Sequence, residues 1–244
     1  MVDPIVPTFR VLTETSTVEW VTAIGTVAAA VVALFLAVFG DWFYRLIWRP
    51  ILDIRIEEQP PDCSYIPTNF KTASQAGCCY LRIRVYNIGK VTAESVEVFA
   101  ESLERKEDGT FKPVRDFLPL NLVWSHFFPP VVYFPKIPPG GEVFKHCDLG
   151  HIIDPVVRSR LPAEDGEDHP SLKAYSSKTL MSLSLISRPN SGSHLIPPGV
   201  YRLRLGAVAA NADLKWKTVE INLTGKWSPK ELDMLGREIL VKPA

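Results

Sequence analysis

The sequence predicts a mainly β protein: an antiparallel β-sandwich preceded by one transmembrane α-helix. Three observations carry this expectation. A run of 21 uncharged residues, Trp20 to Gly40, lies near the start of the chain. Beyond it, several segments alternate apolar and polar residues with period two, which is the pattern of half-buried strands. Proline is abundant, 21 of 244 residues, which disfavours a helical bundle and suits short strands joined by turns.

The uncharged run spans roughly 31 Å as a helix, close to the ~30 Å hydrocarbon core of a bilayer. Ser16 and Glu19 have the spacing of a capping box, so the helix is expected to start at Ser16. Trp20 marks one interface, and Trp42, Phe43, Tyr44 and Trp48 mark the other. Pro50 is the expected stop, because it pushes its predecessor out of the α region. A signal peptide needs a basic leading region and a small-residue cleavage site. Here the first 19 residues hold one Arg against three acids, and Asp-Trp-Phe-Tyr follows Gly40. A buried core helix seldom runs 21 residues without a charge. Arg45, Arg49 and Arg55 follow the run while only Arg10 precedes it. Positive residues favour the cytoplasmic side, so the N-terminus is expected outside a cell membrane and the large domain in the cytoplasm. Cys63, Cys78, Cys79 and Cys147 are compatible with reduced thiols there. In an exported domain Cys63 would be free to pair with Cys78 or Cys79, which makes cysteine chemistry a topology test.

The expected organisation is a tail over 1–15, a transmembrane helix with an interfacial extension over 16–49, a β-sandwich over 50–227, and a short helix with a tail over 228–244. Leu52, Ile54 and Ile56 alternate with Asp53, Arg55 and Glu57; Leu81, Ile83 and Val85 alternate with Arg82, Arg84 and Tyr86. Val96 and Val98, Leu180 to Ile186, Tyr201 to Leu205 and Leu214 to Leu223 supply further strands. Asn87-Ile88-Gly89, Pro139-Gly140-Gly141, Pro197-Pro198-Gly199 and Asn211-Ala212-Asp213 supply the turns. No helical pattern separates the strands, so βαβ units are not expected. At the end, Ser228, Pro229 and Glu231 form a second capping pattern, with Leu232, Leu235, Ile239 and Leu240 along one helical face.

The stretch LRIRVYNIGKVTAESVEVFA at 81–100 resembles the strand–Asn-x-Gly–strand hairpin of bacterial immunoglobulin-like modules of the CARDB type. Asn87 and Gly89 take the turn positions, and Ala93, Val96 and Val98 those of the returning strand. IPPGVYRLRLGAVAANA at 196–212 is similar to the late Pro-Gly-x-Tyr strand of such modules. The resemblance implies an immunoglobulin-like sandwich used for binding or spacing. It transfers no catalytic residue.

Candidate sites are few. His146, Cys147, Asp148 and His151 include zinc-type ligands, but on a strand His146 and Asp148 face one way and Cys147 the other, against a shared metal. Glu164 to His169 is acidic without calcium-loop spacing. Residues 113–139 hold seven prolines among Trp124, Phe127, Phe128, Tyr133 and Phe134; such aromatics either plug the core or form a rigid recognition surface. In the span, Gly25, Ala29, Ala33 and Ala37 recur every four residues as a candidate helix-association face, with Thr22 and Thr26 as flanking hydroxyls. Phosphate-loop, zinc-protease, nucleophile-elbow and dinucleotide-binding motifs are missing, and Ser125-His126 are neighbours in sequence alone. Lys plus Arg and Asp plus Glu each number 27, which lacks the basic excess of a nucleic-acid binder. The expected function is a non-enzymatic, membrane-tethered cytosolic binding module without a cofactor, partnered by the bilayer and a protein. A self-associating membrane effector is the alternative, and a metal-dependent enzyme is a third.

Overall fold

The computed structural model describes residues 12–68, 76–161 and 169–244. The chain divides after Arg49 into two units. The first is one helix, α1 (Leu12–Ile47). Its stretch Val18–Gly40, 23 residues, is long and apolar enough to cross a membrane, and none of it is buried. The helix is already formed four residues before Ser16, so Ser16 is not its cap. Adding a turn to an existing helix costs much less than nucleating one, and the long run supplies the nucleus. At the other end the helix stops at Ile47, ahead of Pro50, as expected. Phe35 and Phe39 stack one turn apart, with ring centroids 4.9 Å apart.

The second unit is mainly β. Its strands are β1 (Leu52–Arg55), β2 (Cys63–Thr68), β3 (Ala76–Asn87), β4 (Ala93–Glu107), β5 (Thr110–Pro113), β6 (Leu120–Asn121), β7 (Val123–Trp124), β8 (Tyr133–Ile137), β9 (Phe144–Ile153), β10 (Met181–Leu183), β11 (Leu195–Ile196), β12 (Gly199–Ala209), β13 (Ala212–Leu223) and β14 (Ile239–Pro243). Among the described residues they form two antiparallel sheets. One has the order β1-β3-β9-β10-β11, with β2 also on β3 and β7 on β9; the other has β14-β13-β12-β4-β5, with β6 and β8 on β4.

The period-two pattern sets which side chains enter the core. Leu52 and Ile54 on β1, Leu81, Ile83 and Val85 on β3, and Val96 and Val98 on β4 are buried. Tyr201, Leu203 and Leu205 on β12 and Val219, Ile221 and Leu223 on β13 join the same cluster. Both sheets thus contribute to one core, which removes their apolar faces from water. Leu214, Trp216 and Thr218 continue the β13 pattern on the opposite face, because they have the other parity. There Trp216 meets Phe99 edge-on, 5.6 Å between centroids, over Gly206. A Cβ at Gly206 would come 2.5 Å from Phe99 Cζ, so the glycine makes room for both rings. The expected strand from Leu180 to Ile186 is shorter, confined to β10, and Ile186 is exposed.

The C-terminal segment differs from expectation. One α turn (Glu231–Asp233) passes into a π turn (Met234–Glu238), and the chain then pairs with β13 as β14, with Ile239 opposite Leu223 and Val241 opposite Ile221. Two competing demands decide this. The outer edge of β13 has backbone groups to satisfy, and Ile239 and Val241 both enter the core when the segment is extended. The capping pattern is used differently: Ser228 Oγ accepts from the Lys230 N–H, and the Glu231 carboxylate accepts from the Tyr65 N–H at 3.2 Å.

At the turn between β3 and β4, the fully buried Asn87 uses its whole amide. Oδ1 accepts from the Ile51 and Gly89 N–H groups, each at 3.1 Å, and Nδ2 donates to the Val91 and Ile137 carbonyls at 2.7 and 3.1 Å. One side chain ties together the start of β1, its own turn and the end of β8.

Candidate functional site

The outer face of β3 and β9 carries a layer of charged and aromatic side chains. As strand parity requires, His146 and Asp148 lie on this face and Cys147 enters the core. Asp62, from the loop after β1, reaches over the face and is fully buried. Its Oδ1 accepts from Arg84 Nε at 2.7 Å and lies 3.2 Å from His146 Nε2, while Oδ2 accepts from the Glu57 N–H at 3.0 Å. Arg84 also grips Glu57 through two parallel bonds, Nη1–Oε1 3.0 Å and Nη2–Oε2 3.1 Å. Hydrogen bonds from Gln59 and from Arg84 hold the Glu57 carboxyl below its ordinary range. Beside this node, Asp148 Oδ1 accepts from Arg82 Nε at 3.1 Å and from Ser125 Oγ. Phe144 lies 5.2 Å from Tyr86 and 5.0 Å from His146, with Arg84 over its ring.

These groups are engaged with one another. The Ser125 hydroxyl is directed at Asp148, and His146 is directed at Asp62, so the sequence neighbours Ser125 and His126 are not the contacts that the fold makes. The suggested ligands also separate. Cys147 Sγ donates to the Val123 carbonyl, and His151 stacks on Tyr80 at 5.8 Å. Among the described residues no cluster of three or more His, Cys, Asp or Glu is placed to hold a metal ion. The acidic residues 164–168 lie outside the described residues. His169 bonds Ser171 through Nδ1 and stands 3.0 Å from the Asn190 carbonyl through Nε2. Asp62 and Glu57 are among the members of the layer that sequence reasoning did not single out as site residues. Their segment, Glu-Glu-Gln-Pro-Pro-Asp, has the composition of an ordinary solvated turn.

The proline-rich aromatic segment divides into two parts. Trp124 is buried, donates Nε1–H to the Val132 carbonyl at 3.0 Å, and packs on Phe134 at 5.0 Å. Phe127 stands edge-on to Phe134 at 5.7 Å but stays partly open, Tyr133 is exposed, and Phe128 is 99% exposed. One half of the segment therefore seals the core and the other half presents aromatic surface.

On α1, the hydroxyls of Thr22 and Thr26 donate back to the carbonyls of Val18 and Thr22, each at 2.8 Å. Their protons are satisfied within the helix. Gly25, Ala29, Ala33 and Ala37 are exposed along it.

All four cysteines are unbridged and buried. Burial pushes the Cys63 thiol up to about 12 and raises Cys79 and Cys147 as well. Thiols this protected stay silent toward impermeant reagents on either side of a membrane. The native cysteines thus cannot report topology while the domain is folded.

The fold and this geometry define a class: a β domain of two antiparallel sheets following one apolar helix. Compared with known proteins, the chain matches no family model, no curated protein and no solved structure.

Proposed function

We propose that this protein is a membrane-tethered interaction module without catalytic activity, in which α1 spans the cell membrane and the β domain lies in the cytoplasm. One observation carries the reading: an unburied apolar helix leads, within five residues of Ile47, into a domain whose charged groups on the β3–β9 face bond one another while Phe127, Phe128 and Tyr133 are presented outward. A protein that only displays a surface needs that combination, because exposed aromatic anchors supply binding area at low entropic cost. The two sheets, sharing one core and joined through the Asn87 turn, are read as an immunoglobulin-like sandwich, in line with the bacterial CARDB-type resemblance. Arg45, Arg49 and Arg55 support the inward orientation.

The test uses Lys112→Cys, a half-exposed position on β5. The buried native thiols leave it as the reactive site. In intact cells an impermeant maleimide should label it only after lysis, with the protein remaining in the pellet after alkaline carbonate. Labelling before lysis overturns the orientation, and carbonate extraction overturns the span.

A further inference from the structure

Near the turn between β4 and β5, the core-facing row of β4 changes from apolar to basic. Leu103 is buried in the core, and Arg105, two residues on, has the same parity. Asp108 and Gly109 both take positive φ, which makes a two-residue turn and fixes the register of the hairpin. Arg105 therefore stands directly opposite Lys112 on one side and Tyr201 on the other. Like charges directly opposite one another destabilise an antiparallel pair. Lys112 is drawn aside, to Glu107 at 3.4 Å and Asp108 at 3.9 Å. Arg105 is left without an acid. Among the described residues it forms no ion pair, and its Nη2 donates to the Pro198 carbonyl at 3.5 Å, a long bond.

A second group at this corner also lacks an acceptor. The Tyr201 hydroxyl is buried without a hydrogen-bond partner. It lies against Gly199, where a Cβ would stand 3.2 Å from the oxygen, next to the carbonyl that Arg105 reaches. Burial pushes this phenol up to about 12, so it keeps its proton at neutral pH and remains a donor.

Arg115 adds a third cation. The Phe117 N–H donates to the Val114 carbonyl at 3.2 Å, and Val114 and Phe117 both pack on the core, so an anchored turn carries the exposed Arg115. Among the described residues it too forms no ion pair. Arg105, Lys112 and Arg115 line, with Glu107, Pro113 and Val114, a cavity of about 500 Å³, which is the size of a small-molecule site. Glu107, the acid of this lining, is occupied by Lys112. Two guanidinium groups thus remain unbalanced, and each is a planar fork suited to an oxyanion. A phosphate monoester, with about two negative charges near neutral pH, balances both. Pro113 and Val114 supply an apolar wall beside them.

We propose that this cavity binds a soluble organic phosphate monoester, with Arg105 and Arg115 on the phosphate and Pro113 and Val114 against the organic part. The site is built by the β domain alone and does not depend on the membrane-tether reading.

The experiment titrates the full chain, in a neutral detergent at fixed ionic strength, with phenyl phosphate by calorimetry. Benzoate, with the same ring and a single charge, is the comparison. Phenyl phosphate should saturate one site per chain, and benzoate should bind about tenfold more weakly or less. Arg105→Gln and Arg115→Gln should each weaken phenyl phosphate about tenfold, the loss expected for one charge-assisted contact. Glu107→Gln, which frees Lys112, should strengthen it about threefold. Arg115 stands on an exposed turn, so its variant keeps the test decisive should Arg105→Gln unfold the domain. No saturable uptake of phenyl phosphate by the parent chain overturns the proposal. Equal affinity for benzoate also overturns it, because the cavity would then be reading the ring and not the dianion. So does an affinity that Arg115→Gln leaves unchanged, or that Glu107→Gln leaves unchanged or lowers, since the anion would then lie elsewhere.

Discussion

Asn87 shows how much of the domain depends on single side chains. Its amide closes four hydrogen bonds to backbone groups of three different segments, and no apolar residue can replace them. Asn87→Ala leaves buried N–H and C=O groups without partners, at an expected cost of about 3 kcal/mol. The urea midpoint of the variant should fall accordingly; a midpoint equal to that of the parent would mean that water replaces the amide fully. This residue was legible in the sequence, because Asn-x-Gly between two alternating strands has a mechanism in turn chemistry. Asp62 was not. Nothing local distinguishes it from Glu57 or Glu58, and its burial arises only when β3 and β9 bring Arg84 and His146 under the loop.

Among the elements, the strands with strict alternation were read correctly, because their face toward the core is fixed by parity alone. The last strand was misread, and the reason is physical. Met234, Leu235, Ile239 and Val241 all bury, but a π turn and then a change to extended chain carry them inward, so no single period describes the segment. The two readings make opposite demands on Val241, which faces the core in β14 but lies off the helical face set by Leu232, Leu235, Ile239 and Leu240. Val241→Asp should therefore lower stability by about 3 kcal/mol or more, through an unpaired charge in the core, whereas the half-buried Leu240→Asp should cost less. Denaturation curves of the two variants compare them directly, and equal losses would contradict the strand. The aromatic segment was legible only as a choice between core and surface; the fold uses both, with Trp124 sealing and Phe128 projecting.

For the whole molecule, the buried acids of the core set a limit at high pH. The folded Cys63 and Tyr201 lose their protons near 12, above the ordinary values of 9.0 and 10.0, chiefly because burial penalises the charged form. Below pH 9 folded and unfolded chains hold the same protons at these sites, and their effect on stability is constant. Above it the unfolded chain releases protons that the folded one keeps, so stability falls as pH rises from about 9 toward 12, by about 1.4 kcal/mol per pH unit for each such proton. Urea midpoints should stay level up to about pH 9 from this source and decline beyond; a level profile through pH 11 would show that the thiols and Tyr201 are open to solvent.

The position of β14 also has a consequence for synthesis. Leu223, the last residue of β13, and Pro243, the last residue of β14, are separated by 20 residues, or roughly 1–4 s of translation at 5–20 residues per second. Throughout that interval the outer edge of β13 has no partner. On the tether reading α1 is already inserted, so unfinished domains gather on a two-dimensional surface with one strand edge open to their neighbours. Crowded translation of this chain is thus the condition under which two nascent domains meet edge to edge, and release of the final strand is the event that closes each against the other.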